Sequence, residues 1–161
     1  MPARQKLMTK GLKIRRCRHG RADGQRPQRI IDMEITNKVV ITGKVVEGNH
    51  IGRQLDVPTA NLNLSNEFTD LPKGVYYSRT TISQKTYKSI TNIGTKPTVK
   101  DDSVINAETF VFDFEGDLYG REISVELLGF RRAERKFSSL DELSQTIKED
   151  LRMGRNYQSC T

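Results

Sequence analysis

Apolar and polar positions alternate in five stretches of this chain, with the two-residue period of strands that bury one face. The stretches run from Val39 to Glu47, Val75 to Ile82, Tyr87 to Ile93, Ile105 to Phe114 and Glu122 to Phe130. A further short extended piece lies near Thr59 to Leu64. Gly, Asn and Asp turns separate them, the rhythm of antiparallel pairing and not of strand-helix-strand units. Such a series must curl to protect its edges, so the pattern predicts a small all-β barrel.

One segment changes period. Ser139-Leu-Asp-Glu142 reads as a capping box, and Leu140, Leu143, Ile147 and Leu151 follow at spacings of three and four. The spacing predicts a single C-terminal helix that lays this stripe over one face or end of the barrel. Gln145, Lys148, Glu149 and Arg152 would then face water, and Glu142, Glu149 and Asp150 take surface roles.

Length allows one core, at 161 residues, and no apolar run reaches membrane-spanning length. Cys17 and Cys160 lie near opposite ends in polar surroundings. That placement argues against a disulfide framework or a paired-cysteine metal site, and fits a reducing, cytoplasmic setting. The net charge of +7 is not spread evenly: residues 1–38 hold 11 Lys/Arg against 3 Asp/Glu, which leaves the remainder at −1. Basicity therefore belongs to an N-terminal extension, residues 1–37, and not to the domain expected over 38–155 or the tail at 156–161. The extension reads as a flexible solvated tail, with nucleic-acid contact or organelle targeting as the alternatives. It contains no aromatic residue to stack on bases.

Candidate chemistry is concentrated in two stretches. The first, Gly43 to Asn61, carries Gly43, Gly48 and Gly52 at turns, with His50 and Arg53 between them, and ends in Pro58-Thr59-Ala60-Asn61. Glycines let backbone N–H groups approach a phosphate, and Pro58 fixes the chain direction. Residues two apart in an extended segment share a side, so the Thr59 hydroxyl and the Asn61 carboxamide can face one ligand. Neutral oxygen donors suit Mg²⁺ when phosphates and water complete its shell. The competing reading is a plain surface hairpin loop, and the stretch is no P-loop.

In the second stretch, Ile105 to Phe114, period two puts Glu108 on one face with Phe110, Phe112 and Phe114, and Asn106 at the open end of that row. A carboxylate among aromatic rings is costly unless it sits at a mouth or is paired, and such a group near a substrate is a candidate proton acceptor. A strand-end acid reaching solvent is the alternative. Asn92 to Thr98 reads as a rigid turn whose N–H groups, around Asn92 and Gly94, can meet a ligand. In Phe130 to Phe137, either a solvated charged loop or a closing one, Arg132 is a phosphate partner, Phe137 a contact for a flat ring and Glu134 an anchor for a cation.

Together these residues resemble the riboflavin kinase (flavokinase) family from about Val40 to Leu151, through GKVVEGNHIGR, PTAN, NIGTKPT, AETFVFDFEGDLYG and GFRRAERKFSSLDEL in that order. The resemblance implies a six-stranded antiparallel Greek-key barrel with a C-terminal helix. It also implies transfer of the γ-phosphoryl of ATP to the 5′-hydroxyl of riboflavin, giving FMN and ADP; separately, a monomer with no membrane partner is expected. By the same likeness Thr59 and Asn61 hold the Mg²⁺-nucleotide, Glu108 is the base, residues 48–53 cover the phosphates and Arg132 to Phe137 close over the flavin. Asp56 stands where the family usually has glycine, and Ala133 where it often has proline. The short basic leader is too small for the adenylyltransferase module of bifunctional relatives, so FAD synthesis is not expected of this chain. A catalytically weak flavin or nucleotide sensor on the same barrel, its leader on nucleic acid, is the competing function. The kinase reading requires Thr59, Asn61 and Glu108 to share a cavity.

Overall fold

Alternation is realised as strands wherever both faces find partners. The computed structural model describes residues 12–18, 31–48, 57–64, 68–96 and 104–158. Within them lie β1 (Ile14–Arg18), β2 (Ile31–Lys44), β3 (Ala60–Asn63), β4 (Gly74–Ile82), β5 (Lys85–Lys96), β6 (Val104–Val111), β7 (Glu122–Ala133) and the helix α1 (Leu140–Asn156). The sheet order is β1-β2-β7-β4-β5-β6-β3, and every neighbouring pair is antiparallel. A bridge between Val46 and Asn61 joins the chain just past β2 to β3, so the two ends of the inner six strands meet and the sheet curls into a barrel-like form.

The inward face holds Ile35, Val39, Ile41, Leu62, Tyr76, Ile93, Val125 and Leu127 in one core. Burying each such side chain is worth about 1.5–3 kcal/mol. Ser78, Thr80, Ser89, Thr91 and Thr109 are buried with them and bond to one another at 2.8–2.9 Å, so their hydroxyls are satisfied without water. On the outer face Val75, Ile90 and Phe112 form a second cluster, joined by Phe110 and by Leu151 of α1. Gly154 makes this contact close, because a Cβ there would lie 3.2 Å from Ile90 and 3.3 Å from Phe112.

Several expectations shift. β2 starts at Ile31, well before Val39, and pairs with β1 inside the segment read as an extension. Ile35 is buried in the core and Leu12 packs against it. The polar run Thr36-Asn37-Lys38 hides this continuity; it sits at an irregularity in the β2–β7 register, where the Asn37 side chain accepts from the Lys13 amide at 2.8 Å. β6 ends at Val111, and Asp113 takes a positive φ of 57°. That turn breaks the aromatic row: Phe110 and Phe112 stay on the helix side, while Phe114 packs against the inner core and Tyr87. The capping box is displaced by one residue. Ser139 accepts from the Glu142 amide, but the Glu142 carboxylate bonds back to the amide and hydroxyl of Ser138. Leu140 is 69% exposed and leaves the apolar stripe. At the far end Tyr157 stacks on Tyr77, ring centroids 4.1 Å apart, so the docked unit continues past residue 155.

Candidate active site

Strand pairing draws the chemistry-bearing residues into one row on the outer face. Asn61 of β3 is the register partner of Glu108 of β6, and Glu108 of Asn92 of β5. Asn92 in turn faces Val75 of β4, and Val75 faces Arg132 of β7. Partners in register have side chains on the same side of a sheet, so the row runs Asn61, Glu108, Asn92, Val75, Arg132 across five strands.

Two cavities open along this row. One, of about 630 Å³, is lined by Gly48, Pro58, Thr59, Asn61 and the β6–β7 connection, including Leu118 and Tyr119. The other, of about 280 Å³, lies under α1 and is lined by Asn92, Glu108, Arg132, Phe137, Leu143 and Ile147 among others. Thr59 and Phe110 line both, so the cavities meet beside the Asn61–Glu108 pair. Thr59 borders both cavities, whereas Asn61 lines only the larger and Glu108 only the smaller, so the three are neighbours at a junction and do not line one cavity.

Asn61 is held tightly. Its Nδ2 donates to the Thr59 carbonyl at 3.4 Å, while its buried Oδ1 has no hydrogen-bond partner among the described residues. A Cβ at Gly48 would fall 2.2 Å from Asn61 Nδ2, so glycine is what lets the chain pass this side chain. An unpartnered buried carboxamide oxygen is costly unless a ligand completes it. With the Thr59 hydroxyl close by in sequence, it fits a hard divalent cation whose other ligands are phosphate and water. No group of three or more His, Cys, Asp or Glu suited to a metal occurs among the described residues, so this pair would not form an all-protein cage.

Glu108 is half-buried and accepts from Asn106 Nδ2 at 3.3 Å. Asn92 and Gly94 belong to β5 and not to a turn, because Asn92 to Lys96 pair continuously with β6. Gly94 lies beneath Glu134, whose Oε1 would be 3.0 Å from a Cβ there. Gly43 sits inside β2 opposite Ile123, with ordinary space beside it, so it forms no turn and lines neither cavity. His50, Gly52, Arg53 and Asp56 lie outside the described residues.

Arg132 is not a free cation. Its Nε and Nη2 donate to both oxygens of Asp150 at 2.7–3.1 Å, and its Nη1 donates to the Ala133 carbonyl at 3.2 Å. Arg131 Nε joins the same carboxylate at 2.7 Å, and its Nη1 donates to the Tyr77 hydroxyl at 3.4 Å. Desolvation works against the Arg131 charge, but the hydrogen bonds to Asp150 and Tyr77 outweigh it and raise its pKa. Consecutive strand residues normally point to opposite faces. Here the β4–β7 register slips, Val75 opposing Arg132 and Tyr76 opposing Phe130, and this bulge turns both arginines toward α1. Asp150 is 5% exposed and so has no surface role. Its signal in the sequence is its place on the stripe of Leu143, Ile147 and Leu151, opposite a strand with two adjacent arginines. Phe137 lies between cations, its ring centroid 5.9 Å from Arg132 and 4.8 Å from Arg135.

The fold and site together are a curled antiparallel barrel with two adjoining cavities beside a carboxylate and a buried carboxamide. Residues 35–158 match the riboflavin kinase (flavokinase) family, and the chain belongs to it. It is 39% identical over 112 residues to the RNA-binding riboflavin kinase RibR of Bacillus subtilis, covering 70% of this chain and 48% of that one. It is 40% identical over 111 residues to the bifunctional riboflavin kinase/FMN adenylyltransferase of Escherichia coli, covering 68% and 35% respectively. The crystal structure of riboflavin kinase from Trypanosoma brucei superposes with a TM-score of 0.55 at 26% identity, covering 74% of this chain and 76% of the other. The chain thus spans about half or less of these two bacterial relatives. Among the described residues no helix is long and apolar enough to cross a membrane.

Proposed function

We propose that the chain is a riboflavin kinase that transfers the γ-phosphoryl of ATP to the 5′-hydroxyl of riboflavin, as a cytoplasmic monomer. The observation that carries this reading is the junction of the two cavities at Thr59, next to the paired Asn61 and Glu108. ATP occupies the larger cavity with its phosphates toward Thr59 and Asn61. The flavin ring lies under α1 against Phe137, Leu143 and Ile147, so its ribityl chain points to Glu108. Mg²⁺, held by Thr59 Oγ1 and Asn61 Oδ1, would neutralise charge on the phosphate oxygens. The ribityl oxygen bonds to the γ-phosphorus as the bond from phosphorus to the ADP oxygen breaks, and Glu108 takes the hydroxyl proton during or after attack. Phosphoryl transfer asks little else of a protein beyond alignment.

The test is FMN formation from riboflavin, ATP and Mg²⁺. Glu108→Gln is expected to lower kcat by about 10²–10⁴-fold with nucleotide affinity kept. An unchanged kcat would remove Glu108 from the role, and a wild-type chain that binds flavin without making FMN would favour the sensor reading. A nucleic-acid contact is the second reading, favoured by Arg15, Arg16 and Arg18 on strand β1 and by the RNA-binding name of the Bacillus relative. It predicts RNA retention that weakens steeply with salt and disappears when residues 1–30 are removed.

A further inference from the structure

Arg132 stands three strands from Glu108 along the shared row, about 14 Å at ordinary strand spacing. The phosphates, if they meet the flavin beside Asn61, are at the other end. Both forked nitrogens of Arg132 facing Asp150 are already committed, and the third donates to its own backbone neighbour. Asp150 lines the smaller cavity with Arg132 and is almost wholly buried, yet it belongs to α1 while both arginines belong to β7. One carboxylate therefore ties the helix that roofs the cavity to the strand that walls it. Phe137 sits on the chain between these two elements, with its ring beside Arg132.

We infer that Asp150 is a positioning residue for the flat-ring substrate: it fixes Arg132 in the cavity wall, with Arg131 bracing the same carboxylate, and thereby sets the height of the α1 roof and the place of the Phe137 ring. The inference rests on the flavin occupying the cavity under α1. The buried pair is weak evidence for extra stability, since desolvating three charges offsets much of their attraction, whereas its bidentate geometry fixes orientation. Arg132 accordingly acts in ring placement and not on phosphate.

Asp150→Glu separates these effects. It keeps the charge and so the pairing, but adds a methylene that moves the roof relative to the wall. The expected result is a melting temperature near that of the wild type, a riboflavin Kd from flavin fluorescence quenching raised about tenfold, and an unchanged KM for ATP. Asp150→Asn, which leaves two half-buried guanidinium groups facing a neutral amide, is expected to lose both stability and flavin affinity. Glu149→Gln, one residue away, hydrogen-bonded to Arg152 at the surface and in only a minor electrostatic contact with Arg131, serves as the control and should bind flavin normally. Riboflavin binding by Asp150→Glu equal to wild type, or an ATP KM raised by the same factor as the flavin Kd, overturns the inference. A wild-type chain that quenches flavin fluorescence but forms no FMN overturns the kinase reading alone.

Discussion

A methyl group at residue 48 would land 2.2 Å from the Asn61 amide nitrogen, so the residue that leaves Asn61 Oδ1 open to a ligand depends on its neighbour having no side chain. Gly48→Ala should push the Asn61 carboxamide away from Thr59. The expected outcome is an ATP KM raised about tenfold or more, on the 1–3 kcal/mol scale of overpacking, with the flavin Kd little changed. Steady-state kinetics with each substrate varied in turn checks it. At this scale strand period puts Thr59 and Asn61 on one side of their segment and Glu108 in a separate aromatic-rich motif, and the pairing register then sets Asn61 opposite Glu108. Asp150 was not legible in the sequence. An acid among Lys148, Glu149 and Arg152 looks like a solvated helix face, and the partner that buries it depends on a pairing irregularity in β7 that no local pattern announces.

Between elements, turn chemistry and pairing disagree with propensity in two places. The β4–β5 hairpin turns through Ser83 and Gln84, both with positive φ, 47° and 69°, the geometry that Asn-Gly fills most readily. Gln84→Gly relieves the left-handed strain on one residue and should stabilise the fold by about 1 kcal/mol, read as a higher urea midpoint with an unchanged slope. An unchanged midpoint would mean that the turn is unstrained. Asn92 to Lys96 read as a turn because Gly94 and Pro97 punctuate it, yet continuous pairing with β6 makes it strand. That extension places Asn92 beside Glu108, so Asn92, expected to meet a ligand from a turn, lines the cavity from a strand instead.

For the molecule as a whole, the barrel with one helix followed from alternation plus one change of period, while the N-terminal boundary did not. Composition marked residues 1–37 as a basic leader, and charge concealed a hairpin: Arg15 pairs with buried Glu34 at 2.6 Å, and Thr36 donates its amide to the Lys13 carbonyl at 2.8 Å. Removing residues 1–30 strips β1 from β2 and Leu12 from the core. It should lower stability by about 2 kcal/mol, as for one lost apolar side chain, and denaturant titration of the full and shortened chains measures this. Equal stability would mean that β1 only rests on the sheet. Loss of FMN formation on such a deletion would therefore not by itself reveal a catalytic task for the leader.

The Val46 amide donates to the Asn61 carbonyl at 2.9 Å, across the gap between the end of β2 and β3. The ring of strands is fastened by the same residue whose side chain would grip the metal-nucleotide. A ligand held by the Asn61 side chain would therefore be expected to steady the bridge between the end of β2 and β3.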